Sequence, residues 1–213
     1  MIANCIFDFD GTLVDSLADV LDSLKKAFLE AGIKAKSFDV EEIMQQQLKE
    51  AIDKIAPGIT PEQTGMVMAS FRKIYDSIDY PKTRLKPGAA GLLPKLKEMS
   101  IGMYIVSNKR HVPTVRILNK FGLGHFFIDI LNPDLHGLEK PASKPRLLAM
   151  LLNKRSIDTA TAVYIGDSQV DVTAAKENGL RSIVVANGYG KVEGFDVKPD
   201  FTIHTLTEIL DYC

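Results

Sequence analysis

Short apolar segments alternate with helical patterns along most of this chain, and this alternation restricts the fold more than any other feature of the sequence. Such an order is typical of a parallel sheet with helices on both faces. It predicts strands at 4–9, 102–107, 127–131, 162–166, 182–186 and 201–204, and helices at 90–99, 112–121, 144–154, 170–178 and 206–212. We therefore expect an α/β fold whose core is a doubly wound, Rossmann-like parallel sheet.

One long interval, from residue 16 to residue 85, contains helical patterns and no convincing strand. Its apolar residues recur at helical spacing in three stripes. The stripes are Leu17, Val20, Leu21, Leu24 and Phe28; then Ile43, Leu48, Ile52 and Ile55; then Val67, Phe71, Ile74 and Ile78. Short helices must bury such stripes against one another. The sequence thus predicts a core domain of 1–15 and 86–213 with a small all-helical domain, 16–85, inserted into it.

Charge and composition narrow the class of partner. The 213 residues carry 26 basic and 27 acidic side chains, so no excess positive charge favours nucleic acid or an anionic membrane. No apolar run reaches the roughly 18 residues of a membrane span, and the N-terminus lacks the pattern of a signal peptide. Two cysteines give no disulfide framework. We expect a cytoplasmic protein with a small-molecule partner, either a monomer or a homodimer.

Two carboxylates follow the first apolar run, at Asp8 and Asp10. Alternation along an extended chain places both on one side, where their charges repel unless a cation or a shared proton relieves them. A metal ion would do so. The alternative is a solvated turn at Asp10-Gly11 that merely ends the strand.

Further polar residues follow later strands. With the strand order 3-2-1-4-5, the carboxyl ends of strands 2, 1 and 4 lie side by side, which would bring Ser107, Asp8 and Asp167 to one edge. Asp167 and Asp171 lie four apart at the opening of a helix. They are either metal-associated carboxylates or an ordinary N-cap with a first-turn acid.

The segment Asp8-Phe-Asp10-Gly-Thr-Leu-Val resembles the nucleophile motif of the haloacid dehalogenase superfamily, whose members are mostly magnesium-dependent phosphohydrolases. The resemblance implies that Asp8 attacks phosphorus and that Asp10 serves as general acid and base. A dehalogenase needs no such proton donor and lacks the second Asp. Direct Mg²⁺ ligands would be Asp8, the backbone carbonyl of Asp10 and Asp167, while Asp171 would orient its neighbours or a metal-bound water.

The same resemblance implies a phosphate-binding group. Its members would be Thr12, Ser107, Asn108 and a lysine that neutralises the nucleophile and the phosphoryl oxygens. Two lysines are candidates, Lys140 and Lys144, each followed by proline. We favour Lys144 because it opens the next helix directly and needs no insertion before the following strand.

The position and size of the insertion resemble the helical cap of one branch of this superfamily. We therefore expect a magnesium-dependent phosphatase of the phosphoglycolate phosphatase kind, acting on a small phosphomonoester through an aspartyl-phosphate. Two alternatives stay open, namely a capped sugar-phosphate mutase and a non-catalytic member that binds a phosphorylated ligand or a protein. A haloacid dehalogenase is the weakest alternative because Asp10 is present.

Overall fold

The computed structural model describes residues 1–36, 48–134 and 142–213. The chain divides into two compact units, of which unit 1 comprises Met1–Asp15 with Arg84–Cys213 and unit 2 comprises Ser16–Thr83. Ile43 of the second predicted stripe and the candidate Lys140 lie outside the described residues. Within the described ranges, no helix combines the length and apolar character that crossing a membrane requires.

The eight described strands all belong to unit 1. They are β1 Asn4–Phe7, β2 Val14–Asp15, β3 Arg84–Leu85, β4 Gly102–Val106, β5 Asp129–Leu131, β6 Ala162–Gly166, β7 Arg181–Val185 and β8 Phe201–Ile203. Six form one sheet in the order β5-β4-β1-β6-β7-β8, and every pair in it is parallel. The predicted order 3-2-1-4-5 is therefore confirmed, with a sixth strand added beyond the fifth. The order reverses between β1 and β6, which is where an open α/β sheet binds its ligands.

Helices of unit 1 follow the strands as predicted. They are α4 Ala89–Glu98, α5 His111–Lys120, α6 Lys144–Arg155 and α7 Gln169–Glu177, while 3₁₀ helices occupy Gly124–Phe126, Thr159–Thr161, Val192–Gly194 and Leu206–Tyr212. Helices α6 and α7 cover an apolar cluster on one face of the sheet. Its larger members are Ile6, Tyr104, Leu147, Leu148, Leu151 and Tyr164. This packing fixes the strand ends from which the polar residues emerge.

Strands β2 and β3 form a separate two-stranded antiparallel sheet, in which Val14 pairs with Leu85 and Asp15 with Arg84. Sequence reasoning predicted no strand between 16 and 85, and the structure corrects this at residues 84 and 85. The strands are two residues long, too short to produce an alternating pattern. The predicted helix at 206–212 is a 3₁₀ helix.

Unit 2 contains three described helices, α1 Leu17–Glu30, α2 Leu48–Ile55 and α3 Pro61–Ser77. Helix α1 and helix α2 both pack on α3. A capping box begins α3, because Thr60 and Gln63 exchange side-chain and backbone hydrogen bonds. In the third predicted stripe Val67 and Phe71 are buried, but Tyr75 takes the next buried position in place of Ile74.

A buried carboxylate joins the two ends of unit 2. Asp19, in the first turn of α1, accepts hydrogen bonds from the backbone N–H of Lys82 at 3.1 Å and of Thr83 at 2.7 Å, and from the Thr83 hydroxyl at 2.7 Å. Charge-assisted hydrogen bonds of this kind are stronger than neutral ones. They hold the beginning and the end of the inserted segment together.

Candidate active site

Asp8 lies directly after β1, where the chain leaves the sheet between β4 and β6. Its backbone N–H still donates to Ile165 at 2.8 Å, which fixes the residue against β6. Its side chain is 8% exposed. One of its oxygens, Oδ1, is buried and has no hydrogen-bond partner among the described residues. Since an unpaired buried oxygen is costly, this atom is a candidate for bonding to a ligand.

Lys144 is the first residue of α6, and its ammonium reaches Asp8 from across the sheet edge. The Nζ atom lies 2.8 Å from Oδ2 of Asp8 and 2.6 Å from Oδ1 of Asp171. Ser143 and Pro145 flank it at the helix N-terminus, so the local sequence fixes where the helix begins. The ammonium is buried with two carboxylates. One of them is Asp8, the residue that the sequence analysis expects this lysine to neutralise.

Asp167 lies directly after β6, beside Asp8. Its Oδ1 accepts the hydroxyl of Thr12 at 3.1 Å, and its Oδ2 accepts the backbone N–H of Tyr189 at 2.6 Å. The sequence predicted Thr12 as a substrate-binding residue, and the structure places its buried hydroxyl on Asp167. The amide of Tyr189 was missed, because a backbone donor from a distant loop leaves no signal in side-chain identity.

Asp171 serves both the helix and the site. It is the third residue of α7, and its Oδ2 accepts from the N–H of Asp167, the N–H of Ser168 and the hydroxyl of Ser168, at 3.1, 2.9 and 2.6 Å. Ser168, rather than Asp167, is the N-cap. With Oδ1 on Lys144, both oxygens of Asp171 are engaged, so this residue is arranged to position the site.

Asp10 is paired with a second lysine. Lys109 Nζ lies 3.1 Å from its Oδ1 and 3.0 Å from its Oδ2. The lysine side chain is only 5% exposed, against 19% for Asp10. Lys109 directly follows the candidates Ser107 and Asn108, but the sequence assigns it no role, since nothing in it relates Lys109 to a residue 99 positions earlier.

Ser107 and Asn108 occupy the turn between β4 and α5. Ser107 is buried, and its hydroxyl oxygen accepts the backbone N–H of Lys109 at 3.3 Å, which leaves the hydroxyl hydrogen available as a donor. Asn108 is exposed. The backbone carbonyl of Lys109 accepts from the buried amide of Asn132 at 2.7 Å, so the turn is anchored to the residue after β5.

The carboxylates of this edge hold unusual pKa values. Burial raises the pKa of Asp8 to about 6, while the Lys144 ammonium opposes this rise and the Asp171 charge adds to it. Burial, then the charges of Asp171 and Asp8, raise the pKa of Asp167 to about 8. Burial by itself would lower the pKa of Lys144, but the two carboxylates outweigh it and hold that pKa above its usual value. One ammonium therefore does not balance three buried carboxylates.

A divalent cation fits this arrangement. Ligand atoms of Asp8, Asp167 and Asp171 all lie within 4.8 Å of one another, and all three residues are buried. Carboxylate oxygens are the donors that Mg²⁺ prefers, and those of Asp8 and Asp167 have lone pairs beyond those their hydrogen bonds occupy. A cation would favour the ionised carboxylates and so oppose both the burial and the repulsion that raise the two pKa values.

Two glycines leave room for the side chain of Asp167. A Cβ atom at Gly188 would lie 2.1 Å from the Cβ of Asp167, and a Cβ at Gly11 would lie 2.2 Å from its Oδ2. Gly11 also adopts a φ of +80°, which L side chains rarely tolerate. The close approach of Asp167 is the reason for a glycine at position 188.

Comparisons with known proteins give a consistent result. The family model described as haloacid dehalogenase-like hydrolase matches residues 5–185. Phosphoglycolate phosphatase from Neisseria meningitidis is 31% identical over 219 residues, which cover 96% of this chain and 91% of the relative. Phosphoglycolate phosphatase from Vibrio cholerae is 28% identical over 217 residues, covering 96% and 95%.

A solved structure agrees at the level of the fold. A haloacid dehalogenase-like family hydrolase from Streptococcus pneumoniae superposes with a TM-score of 0.86 at 24% identity, covering 99% of this chain and 98% of that one. The family match extends over most of the chain and includes the carboxylates and lysines of the site, whereas Gly188 and Tyr189 lie beyond its last matched residue. This chain belongs to the haloacid dehalogenase-like hydrolases.

Proposed function

We propose that the protein is a magnesium-dependent phosphatase that hydrolyses a small phosphomonoester through an aspartyl-phosphate on Asp8, and that its activity resembles that of phosphoglycolate phosphatase. The observation that carries the proposal is the pairing of Asp8 with Lys144 beside Asp167, with one Asp8 oxygen left unbonded among the described residues. The relatives named phosphoglycolate phosphatase support the substrate class.

In the first step, a carboxylate oxygen of Asp8 forms a bond to phosphorus while the bond from phosphorus to the ester oxygen breaks. Asp10 gives its proton to the departing alkoxide. Lys144 offsets the charge on Asp8 and the phosphoryl oxygens, and the Ser107 hydroxyl donates to one of those oxygens. In the second step Asp10 takes a proton from the attacking water, and phosphate leaves Asp8.

Asp8, the backbone carbonyl of Asp10 and Asp167 would hold the magnesium ion. When bound, the ion supplies positive charge to the phosphoryl oxygens and relieves the repulsion between the two carboxylates. Thr12 and the Tyr189 amide orient Asp167 for this task, and Asp171 orients Lys144. The predicted role of Asp171 as a supporting residue agrees with the engagement of both its oxygens.

Substrate selection is assigned to unit 2. We propose that the inserted helical segment is the cap domain. The residues of unit 1 described above act on the phosphoryl group, which all phosphate esters share, so they do not distinguish one ester from another. Selection among esters then depends on residues supplied from elsewhere in the chain.

The test is a panel of phosphate esters assayed with and without Mg²⁺, using wild type and Asp8→Asn. Wild type should release phosphate only with the metal, and Asp8→Asn should abolish release. Because the raised pKa of Asp8 means that its ionised form destabilises the fold at neutral pH, the variant should melt at or above the wild-type temperature. When a reaction with an ester labelled in its phosphoryl group is stopped with acid, the label should remain bound to the wild-type protein and not to Asp8→Asn. Near-normal turnover by Asp8→Asn would overturn the mechanism.

A further inference from the structure

Two ion pairs stand side by side in unit 1, and the mechanism above uses only one. Lys144 pairs with Asp8, whereas Lys109 pairs with Asp10 through both carboxylate oxygens, at 3.0 and 3.1 Å. A lysine side chain that is 95% buried loses most of its hydration, which costs free energy unless the ammonium is paired. The turn that holds Lys109 is itself fixed, through Ser107 on one side and the fully buried Asn132 on the other.

We propose that Lys109 is a positioning residue for Asp10, holding that carboxyl group in the orientation from which it protonates the leaving group. The inference rests on the proposed function and extends it. Contact with both oxygens fixes the rotation of the carboxyl plane, which a single hydrogen bond would not do. A general acid must keep its proton within hydrogen-bond reach of the leaving oxygen, so a fixed plane favours transfer.

Charge balance supports the same role. As the Asp8 oxygen bonds to phosphorus and the ester bond breaks, the Asp10 proton moves to the leaving oxygen, and Asp10 becomes a carboxylate. The Lys109 ammonium lies against both oxygens in the structure, which is the contact that the carboxylate left by proton transfer makes; in the acid form one oxygen carries the proton and the other accepts from Lys109. The protein thus supplies one ammonium to the nucleophile and another to the proton donor.

Ser107 and Lys109 lie in one turn, so the same backbone segment positions both side chains. Ser107 is proposed to contact the phosphoryl group, and its hydroxyl oxygen accepts the N–H of Lys109. The buried amide of Asn132, which follows the neighbouring strand β5, fixes the Lys109 carbonyl at 2.7 Å and also contacts Thr114 and His111 of α5. The position of Lys109 is therefore set by the sheet and not by an independent loop.

The test depends on leaving groups, because an ester with a good leaving group needs no proton. The rate constant kcat/KM, which reports the first chemical step, is measured for an alkyl phosphate and for p-nitrophenyl phosphate with wild type, Lys109→Ala, Lys109→Arg and Asp10→Asn. Lys109→Ala should lower the alkyl rate by about 100-fold, within the range of general-acid catalysis, and the p-nitrophenyl rate by less than about 3-fold. Lys109→Arg should recover part of the alkyl rate.

A double-mutant cycle shows through which residue Lys109 acts. In an Asp10→Asn background, Lys109→Ala should change the alkyl rate by less than about 3-fold if it acts through Asp10. Lys154→Ala is the matched control, since it also removes a lysine from an ion pair, with Asp129 at 2.7 Å, but on the surface. It should leave both rates unchanged.

Equal losses on both esters, or multiplicative losses in the double variant, would overturn the inference and place Lys109 on the phosphoryl group instead. These outcomes differ from failure of the proposed function itself. If wild type hydrolyses neither ester in an Asp8-dependent reaction, the proposed function and this inference fall together.

Discussion

Lys144 and Asp8 lie 136 positions apart in the chain, yet their side chains meet at 2.8 Å in a buried ion pair. Lys144 begins α6, and Asp8 directly follows β1, so the contact exists only because the helix N-terminus and the strand end reach the same sheet edge. The same ammonium bonds Asp171 at 2.6 Å. One cation therefore links the proposed nucleophile to the helix that follows Asp167.

The first prediction separates the two candidate lysines. Lys144→Ala should lower kcat/KM by about 100-fold or more, as expected for the loss of a buried electrostatic donor, whereas Lys140→Ala should have a mild effect. Lys144→Ala also leaves two buried carboxylates without their cation, so its folded fraction must be checked by circular dichroism at the assay temperature. The reverse order of effects would transfer the role to Lys140.

The second prediction concerns the space around Asp167. Gly188→Ala places a methyl group 2.1 Å from the Cβ of Asp167, so that carboxylate must shift. The Mg²⁺ concentration that gives half-maximal activity should rise by about 10-fold or more, as for other changes around ligating side chains, and calorimetric titration with Mg²⁺ should show the same weakening. Gly194→Ala is the control, because nothing among the described residues lies within 4 Å of its new Cβ. An unchanged Mg²⁺ dependence in Gly188→Ala would contradict the assignment of Asp167.

The third prediction is a pH dependence of stability. Asp129 pairs with Lys154 and Arg155. Burial opposes its ionisation, but the two cations outweigh this effect and hold the pKa of Asp129 below its usual value. The unfolded chain therefore binds this proton more readily than the folded protein. The resulting stability is present above the unfolded pKa and is lost as pH falls through the folded pKa.

Asp129→Asn should accordingly lower the free energy of unfolding at neutral pH by about 1 kcal/mol, a value kept small because both cations are partly exposed. Urea denaturation at a series of pH values should show the difference between wild type and variant shrinking towards acid pH. High salt should reduce it as well. A difference that stays constant down to acid pH would rule out the ion pairs as its cause.

The fourth prediction concerns unit 2. Exchange of 16–83 for the corresponding helical segment of a relative should change the ranking of phosphate esters, because selection is assigned to that unit. Mg²⁺ dependence and labelling of Asp8 should persist, since the residues proposed for them lie in unit 1. A chimaera that keeps the original ranking would place specificity in the core.

The sequence by itself determined the fold class and the strand order. Short apolar strands alternating with helices allow few topologies, and the order predicted from them agrees with the six-stranded sheet. The same order brings the residues that follow β1, β4 and β6 to one edge, so the order of motifs along the chain was enough to group Asp8, Ser107 and Asp167. The resemblance to a known family supplied the roles that spacing alone left open.

Only the tertiary structure decided the pairings. Lys109 with Asp10, Thr12 with Asp167 and the Tyr189 amide with Asp167 join residues from 22 to 155 positions apart. Periodicity reports which face of an element is apolar; it carries no information on which polar groups meet across different elements. The strands β2 and β3 were missed for a related reason, because two residues are too few to show a period, and their pairing depends on bringing residues 14–15 and 84–85 together in space.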